Sequence, residues 1–238
     1  MYKRLAKVMD IFLNQLIIRF MRYHYFRIDR FVDRVSKEYD FTGKKILDVG
    51  SEKSPYKSYF PKSSYFTQDI VSRADGSVDY VGDFNLGIQD ISSESFDYIL
   101  CTQVLEHMYD PKNVFIEFSR ILKKDGLVFL TTHMVFDEHM EPHDYFRFTK
   151  YGLKSLGERT GFSLEHIEPQ GGVFHVLNYV LSFLPIKLLI KRYSLFYYLY
   201  LVVFSLPLLL FSIVCYYLDY LDKAKTLTIN YECIYKKN

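Results

Sequence analysis

Two apolar stretches, one opening at Ile46 and the other at Ser95, constrain the fold of this 238-residue chain more than any other feature. They are Ile46-Leu-Asp-Val-Gly50 and Ser95-Phe-Asp-Tyr-Ile-Leu-Cys-Thr-Gln-Val-Leu-Glu-His-Met-Tyr-Asp-Pro111. Each runs from apolar residues into small or polar ones, as a strand buried on both faces does when its C-terminal tip carries functional groups. In an open α/β sheet, ligands bind just outside such tips.

Strand and helix patterns alternate around these stretches. Strands are predicted at Lys45–Val49, at Ser64–Thr67 with Asp69 just past its end, at Tyr80–Gly82 followed by Asp83, at Phe96–Cys101, at Leu127–Thr131 and at Phe162–Ile167. Residues 2–38 have a helical pattern, with Leu5, Val8, Met9, Phe12, Leu16 and Ile17 at three- and four-residue steps and Arg19, Arg22, Arg27, Arg30 and Arg34 after them. Asp110-Pro111 starts a helix, with Asp as N-cap and Pro at the first helical position. Its apolar stripe is Val114, Phe115, Phe118, Ile121 and Leu122, and Asp125-Gly126 is expected to close it. Thr149 caps another helix through Leu156, which Gly161 ends. The tail, Thr226–Tyr235, alternates apolar and polar residues as a last strand does. The pattern predicts an α/β fold with a doubly wound parallel sheet.

The order and spacing of the two stretches resemble class I S-adenosylmethionine-dependent methyltransferases, in particular the small bacterial group with Glu-His (here Glu106-His107) after the fourth strand. The resemblance implies a Rossmann-like sheet of seven strands, the last one antiparallel, and S-adenosylmethionine as cofactor. In that family the first strand tip reads Asp-x-Gly-x-Gly. Here Asp48, Gly50 and Ser51 fit, whereas Glu52 and Ser54 stand where further glycines are common, at a cost if the turn needs positive φ. Asp69 follows Gly50 by 69 − 50 = 19 positions, and an acid so placed accepts hydrogen bonds from the ribose hydroxyls. The resemblance puts Ile70 beside that acid, Asp83 and Phe84 at the adenine, and Thr102 and Gln103 at the methionine end. Any one of these acids, taken alone, reads more readily as a solvated loop residue or a helix cap; three at correct spacing in one strand-tip series weigh against that plain reading. His107 has two readings, structural or catalytic.

After the fifth strand, His143-Asp-Tyr-Phe-Arg-Phe-Thr149 resembles the acceptor loop of envelope-glycan and similar small methyltransferases. His139 and His143 suit removal of a hydroxyl proton, since imidazole titrates near neutral pH. Arg147 suits an anionic group on the acceptor, and Tyr145 and Phe146 an apolar or sugar face. Two plainer readings compete: Asp144 and Arg147 brace the loop, or His133, His139, His143, Asp137 and Glu141 hold a metal. The histidine spacing lacks a compact metal signature such as His-Glu-x-x-His, so no metal is expected.

Charge is distributed unevenly. Residues 1–40 are rich in Lys and Arg, whereas Tyr193 to Leu218 contains no charged residue, a run long enough to cross a bilayer. If the tail is strand seven, residues 171–222 form a hydrophobic helical hairpin inserted between strands six and seven. Val173–Ile186 and Tyr193–Leu218 then flank a basic break at Lys187, Lys191 and Arg192, with Tyr193, Tyr197, Tyr198, Tyr216 and Tyr217 at the ends and Pro207 as a kink. A hairpin lying in the cytoplasmic leaflet is the expectation, against burial on a partner subunit. The N-terminal helix either lies on an anionic membrane or packs on the sheet.

The expected domains are therefore an amphipathic segment at 1–40, a methyltransferase domain at 41–170 and 223–238, and the hairpin at 171–222. A net charge of +2 gives no reason to expect nucleic acid as a partner, which usually needs a strongly basic face. Three widely spaced cysteines, Cys101, Cys215 and Cys233, point to a reducing compartment without disulfides, and no cleavable signal peptide is evident. The expected function is methyl transfer at the cytoplasmic face of a membrane, to a small-molecule or lipid-linked acceptor such as a sugar hydroxyl of an envelope-glycan intermediate. The alternatives are a membrane quinone precursor as acceptor, or a non-catalytic scaffold.

Overall fold

A computed structural model describes Phe20 and residues 22–73, 76–189 and 195–238. The apolar positions from Leu5 to Ile17 and the basic residues Lys191 and Arg192 lie outside the described residues. In chain order the elements are α1 (Tyr23–Glu38), β1 (Lys45–Val49), β2 (Ser64–Asp69), β3 (Tyr80–Val81), β4 (Phe96–Thr102), α2 (Pro111–Ile121), β5 (Leu122–His133), α3 (Lys150–Glu158), β6 (Phe162–Gln170), α4 (Val173–Leu189), α5 (Leu195–Leu218) and β7 (Asn230–Lys237).

The seven strands form one sheet in the order β3-β2-β1-β4-β5-β7-β6. β1 pairs in parallel with β2 and β4, β4 with β5 and β2 with β3, whereas β7 runs antiparallel to β5. The parallel strands therefore end on a single edge, where Gly50, Asp69, Gly82, Gln103 and His133 are found.

Strand alternation assigns the two faces. Ile46, Leu100, Phe129 and Ile234 pack under Phe31, Val32 and Val35 of α1. Leu47, Val49, Ile99, Cys101, Val128 and Leu130 pack under Val114, Phe115, Phe118 and Ile121 of α2. Burying each such side chain fully contributes about 1.5–3 kcal/mol. The caps are as the residues imply: Asp110 accepts from the Asn113 amide at 3.1 Å, and Thr149 from Gly152 at 3.1 Å.

The expected end of α2 is corrected. The helix stops at Ile121, and Asp125-Gly126 lies inside β5 as an outward excursion between the Phe96–Leu122 and Tyr98–Leu127 pairs. Asp125 takes φ +62°, and a Cβ on Gly126 would meet carbonyl oxygens of Lys123 and Asp97 at 2.9 and 3.0 Å. This local signal resembles a helix C-cap, and strand pairing overrides it.

Two compact units divide the chain: residues 28–168 with 230–238, which hold the sheet, and residues 1–27 with 169–229. Within the second unit, α4 and α5 form the helical hairpin. Its seam is polar: Asn178 Oδ1 accepts from Ser182 at 3.1 Å and from Ser212 at 2.9 Å. At its base the Asp219 carboxylate accepts from Gly172 N at 2.9 Å, and Asp222 from Val173 N at 2.8 Å. These acids satisfy amides at the start of α4 and oppose the positive end of its dipole. Among the described residues, one stretch, Val203–Leu221, is long and apolar enough to cross a membrane. Val203, Leu206, Leu210, Val214 and Tyr217 on it are each more than half exposed.

Candidate active site

The turn after β1 is built on strained backbone. Gly50 has φ +65°, and a Cβ there would meet Val104 Cγ2 at 2.5 Å, so glycine is required on two counts. Glu52 and Ser54 also have positive φ, +41° and +53°. Positive φ is thus kept at two positions without glycine, and Glu52 is exposed. Ser51 N donates to Gln68 O at 3.0 Å and Glu52 N to Asp69 Oδ2 at 3.1 Å, which ties the turn to the tip of β2.

Asp69 also accepts from the Ile70 amide at 2.8 Å. A carboxylate offers about four lone-pair positions, so these two bonds leave room for further donors. Ile70 itself is 65% exposed. Asp83 Oδ1 accepts from Asn85 N and Nδ2, at 2.9 and 2.7 Å, and fixes the turn after β3. The expectation for Phe84 is corrected: its ring is buried in the core edge-on to Phe118, not open to a base. Aromatic residues at a strand tip read alike from sequence, whether they face ligand or core.

Asp48 lies on the α1 face of β1, 2% exposed, and accepts from Tyr65 OH at 2.6 Å. Burial pushes its carboxyl up to about 7. Tyr56 packs, half-buried, against the same apolar cluster as Tyr65. Tyr56 and Tyr65 escaped the sequence reading, because nothing local distinguishes them among 22 tyrosines.

Gln103, just past β4, has φ +56°; its N donates to Thr131 O and its Nε2 to Thr131 Oγ1, both at 2.9 Å. Gln103 Oε1 and Ser51 Oγ are buried without a hydrogen-bond partner. Orphaned buried polar atoms are costly, so two of them at neighbouring strand tips mark where a polar ligand belongs. A separate hollow of about 670 Å³ opens at the other edge of the sheet, lined in part by Asp33, Phe41, Tyr59, Pro61 and Lys62. Those residues precede or flank the strand starts, away from the tips.

The loop after β5 is anchored on Glu106: its backbone O accepts from Tyr145 N and Phe146 N at 2.9 and 3.2 Å. Arg147 is corrected as an acceptor-binding group. Its five N–H donors go to Asp144 Oδ1 and Oδ2 (both 2.7 Å) and to the carbonyls of Phe136, Phe146 and Asp137. The guanidinium braces the loop and holds the Asp144 carboxyl well below its usual range. His107 Nδ1 lies 2.7 Å from His143 O, while its Nε2 is buried without a partner. Burial lowers the His107 pKa. His143 Nδ1 meets Tyr145 OH at 2.9 Å, and Tyr109, Tyr145 and Phe146 are the exposed aromatic residues beside it. His139 packs edge-on against His107, ring centroids 4.6 Å apart. Glu106, fully buried, accepts from Thr132 Oγ1 at 2.8 Å, and burial pushes its carboxyl up to about 7.

Strand order, antiparallel β7 and polar groups along one edge are those of a class I S-adenosylmethionine-dependent methyltransferase. Residues 18–168 match the model of the methyltransferase domain family, and the chain belongs to that family. It is similar to a ubiquinone biosynthesis O-methyltransferase of Neisseria meningitidis, 25% identical over 42% of this chain and 49% of that one. It is also similar to a tRNA U34 carboxymethyltransferase of Campylobacter lari, 27% identical over 52% and 51%. The chain thus spans about half the length of the curated relatives it matches. A methyltransferase structure from Archaeoglobus fulgidus shares the fold, with a TM-score of 0.55 at 13% identity over 94% of this chain and 99% of that one. S-adenosylmethionine is the cofactor of the class. The orphaned Ser51 and Gln103 oxygens and the lone pairs left on Asp69 fit a ligand with hydroxyl, amino and carboxylate groups.

Proposed function

We propose that the chain transfers a methyl group from S-adenosylmethionine to a hydroxyl of a lipid-linked acceptor at the cytoplasmic face of a membrane. The observation that carries this reading is the pair of buried, unpartnered oxygens at the tips of β1 and β4, beside the Asp69 carboxylate. When bound, the cofactor supplies an electrophilic methyl group on a sulfonium, which leaves as a neutral thioether. The chain is left to align the reactants, exclude water and take up one proton.

In this reading Asp69 accepts from the ribose hydroxyls, Asp83 meets the adenine end, and Ser51, Thr102 and Gln103 hold the methionine end. As the acceptor oxygen bonds to the methyl carbon, its proton passes to an imidazole. His107 Nε2 suits that task better than His143. A carbonyl oxygen only accepts, so the His107 nitrogen facing His143 O carries the ring hydrogen and Nε2 keeps a lone pair. His139, His143, Tyr145 and Phe146 flank the acceptor.

The acceptor loop and the apolar hairpin favour a sugar hydroxyl on an envelope-glycan intermediate, with the hairpin lying in the leaflet. The ubiquinone-biosynthesis relatives favour a second reading, a phenolic hydroxyl of a membrane quinone precursor. Supplying methyl-labelled S-adenosylmethionine to the purified chain with bacterial lipid extract tests both. Label in a glycolipid supports the first and label in a phenolic lipid the second. No transfer by a folded chain that binds the cofactor would reject lipid acceptors.

A further inference from the structure

Glu106, His133 and His139 each bring one ligand-type atom within 4.8 Å of the others. They come from the turn after β4, the end of β5 and the loop beyond, so no sequence spacing unites them. Glu106 is fully buried, and although Thr132 holds Oε2, Oε1 has no hydrogen-bond partner.

His133 Nε2 lies 3.3 Å from that orphaned oxygen, while its Nδ1 faces Asn230 Oδ1 at 2.6 Å. The amide oxygen only accepts, so the ring hydrogen sits on Nδ1 and the lone pair of Nε2 points at Glu106 Oε1. His139 Nδ1 likewise faces two pure acceptors, Asp137 O at 3.0 Å and Asp144 Oδ2 at 3.3 Å, which leaves its Nε2 as an electron-pair donor. Asp144 is neutralised by Arg147, so the net charge at the three groups is that of Glu106. Facing lone pairs in a dry pocket are relieved by a proton or a metal ion placed between them.

We propose that Glu106, His133 and His139 bind one divalent cation of the zinc type. Two imidazoles and one carboxylate are a common ligand set for such ions, and the 3.3 Å between Glu106 Oε1 and His133 Nε2 is the edge of a tetrahedron with bonds of about 2.0 Å, the His139 atom lying within 4.8 Å of both. Asn230, Thr132 and Asp144 orient the ligands from behind, as partners of metal-bound side chains do. Water or an acceptor oxygen would supply a fourth ligand, and the His139 ring packs against His107, the proposed base. The site stands on its own geometry; only its use on an acceptor hydroxyl rests on the methyl-transfer reading.

Calorimetric titration of Zn²⁺ alone into the metal-stripped 238-residue chain tests the site, with Co²⁺ absorption reporting coordination. One ion per chain and the strong visible bands of four-coordinate cobalt are expected. Glu106→Gln and His139→Ala should each lose about 10–100-fold in affinity or more, since loss of an orienting partner alone costs that much. His139 is on a half-buried loop, so His139→Ala carries the test if Glu106→Gln fails to fold. Absence of saturable binding by the folded chain would mark a plain buried Glu–His pair and overturn the site, as would unchanged binding by the folded variants. S-adenosylmethionine titrated separately distinguishes the two failures: cofactor bound without zinc rejects only this site, and zinc bound without cofactor rejects only the methyl-transfer reading.

Discussion

At the scale of single residues, Asp48 and His107 make opposite uses of burial. The Asp48 carboxyl is pushed up to about 7 by desolvation, well above an unfolded aspartate near 3.9. Between those values the folded chain keeps a proton that the unfolded chain has released, so stability falls as pH rises through that window. Asp48→Asn removes this dependence while still accepting from Tyr65. In the cofactor-free chain its unfolding free energy relative to wild type should rise by about 2–4 kcal/mol between pH 4 and pH 8, read by denaturant titration. Parallel pH profiles would refute the buried-acid assignment. For His107, burial favours the neutral ring and the His143 carbonyl fixes the tautomer. His107→Gln should keep cofactor affinity and slow turnover by about 10²–10⁴-fold. If His143→Ala slows turnover more than His107→Gln does, the proton goes to His143 instead.

At the scale of elements, the turn after β1 concentrates the strain of the sheet edge. Gly50→Ala places a Cβ at positive φ and against Val104, and should cost about 2–4 kcal/mol from the two effects together. Adding Val104→Ala should recover the packing part and leave the backbone part; no recovery would mean that Val104 is not the obstacle. The elements also show what sequence can disclose. The caps at Asp110 and Thr149 act on amides three positions along the chain, so they were legible. Asp125-Gly126 was misread because a helix stop and a strand excursion use the same residue types, and only pairing with β4 separates them. Arg147 was read as a ligand contact because its partners, the carbonyls of Phe136, Asp137 and Phe146, are backbone atoms invisible to any motif. Glu106, His133 and Asn230 meet across three elements, so their juxtaposition is a property of the sheet.

At the scale of the molecule, one unit carries a family fold and the other an apolar hairpin with a polar seam. The exposed faces of Val203, Leu206, Leu210 and Val214 give the hairpin an apolar surface beyond what its own packing needs. Deleting 173–222 with a short linker should release the chain from vesicles in a flotation assay while leaving β7 able to pair with β5. If the deleted chain still floats with vesicles, the anchor is in residues 1–40. Both methyl-transfer readings make one demand, that the polar edge of the sheet hold a nucleoside with a charged amino-acid arm. Titrating S-adenosylmethionine into the 238-residue chain and into its Asp69→Ala variant by calorimetry measures this directly. The account predicts saturable one-to-one binding, weakened by about 1–3 kcal/mol in the variant; a folded chain that takes up no cofactor, or binds it equally well without Asp69, contradicts it.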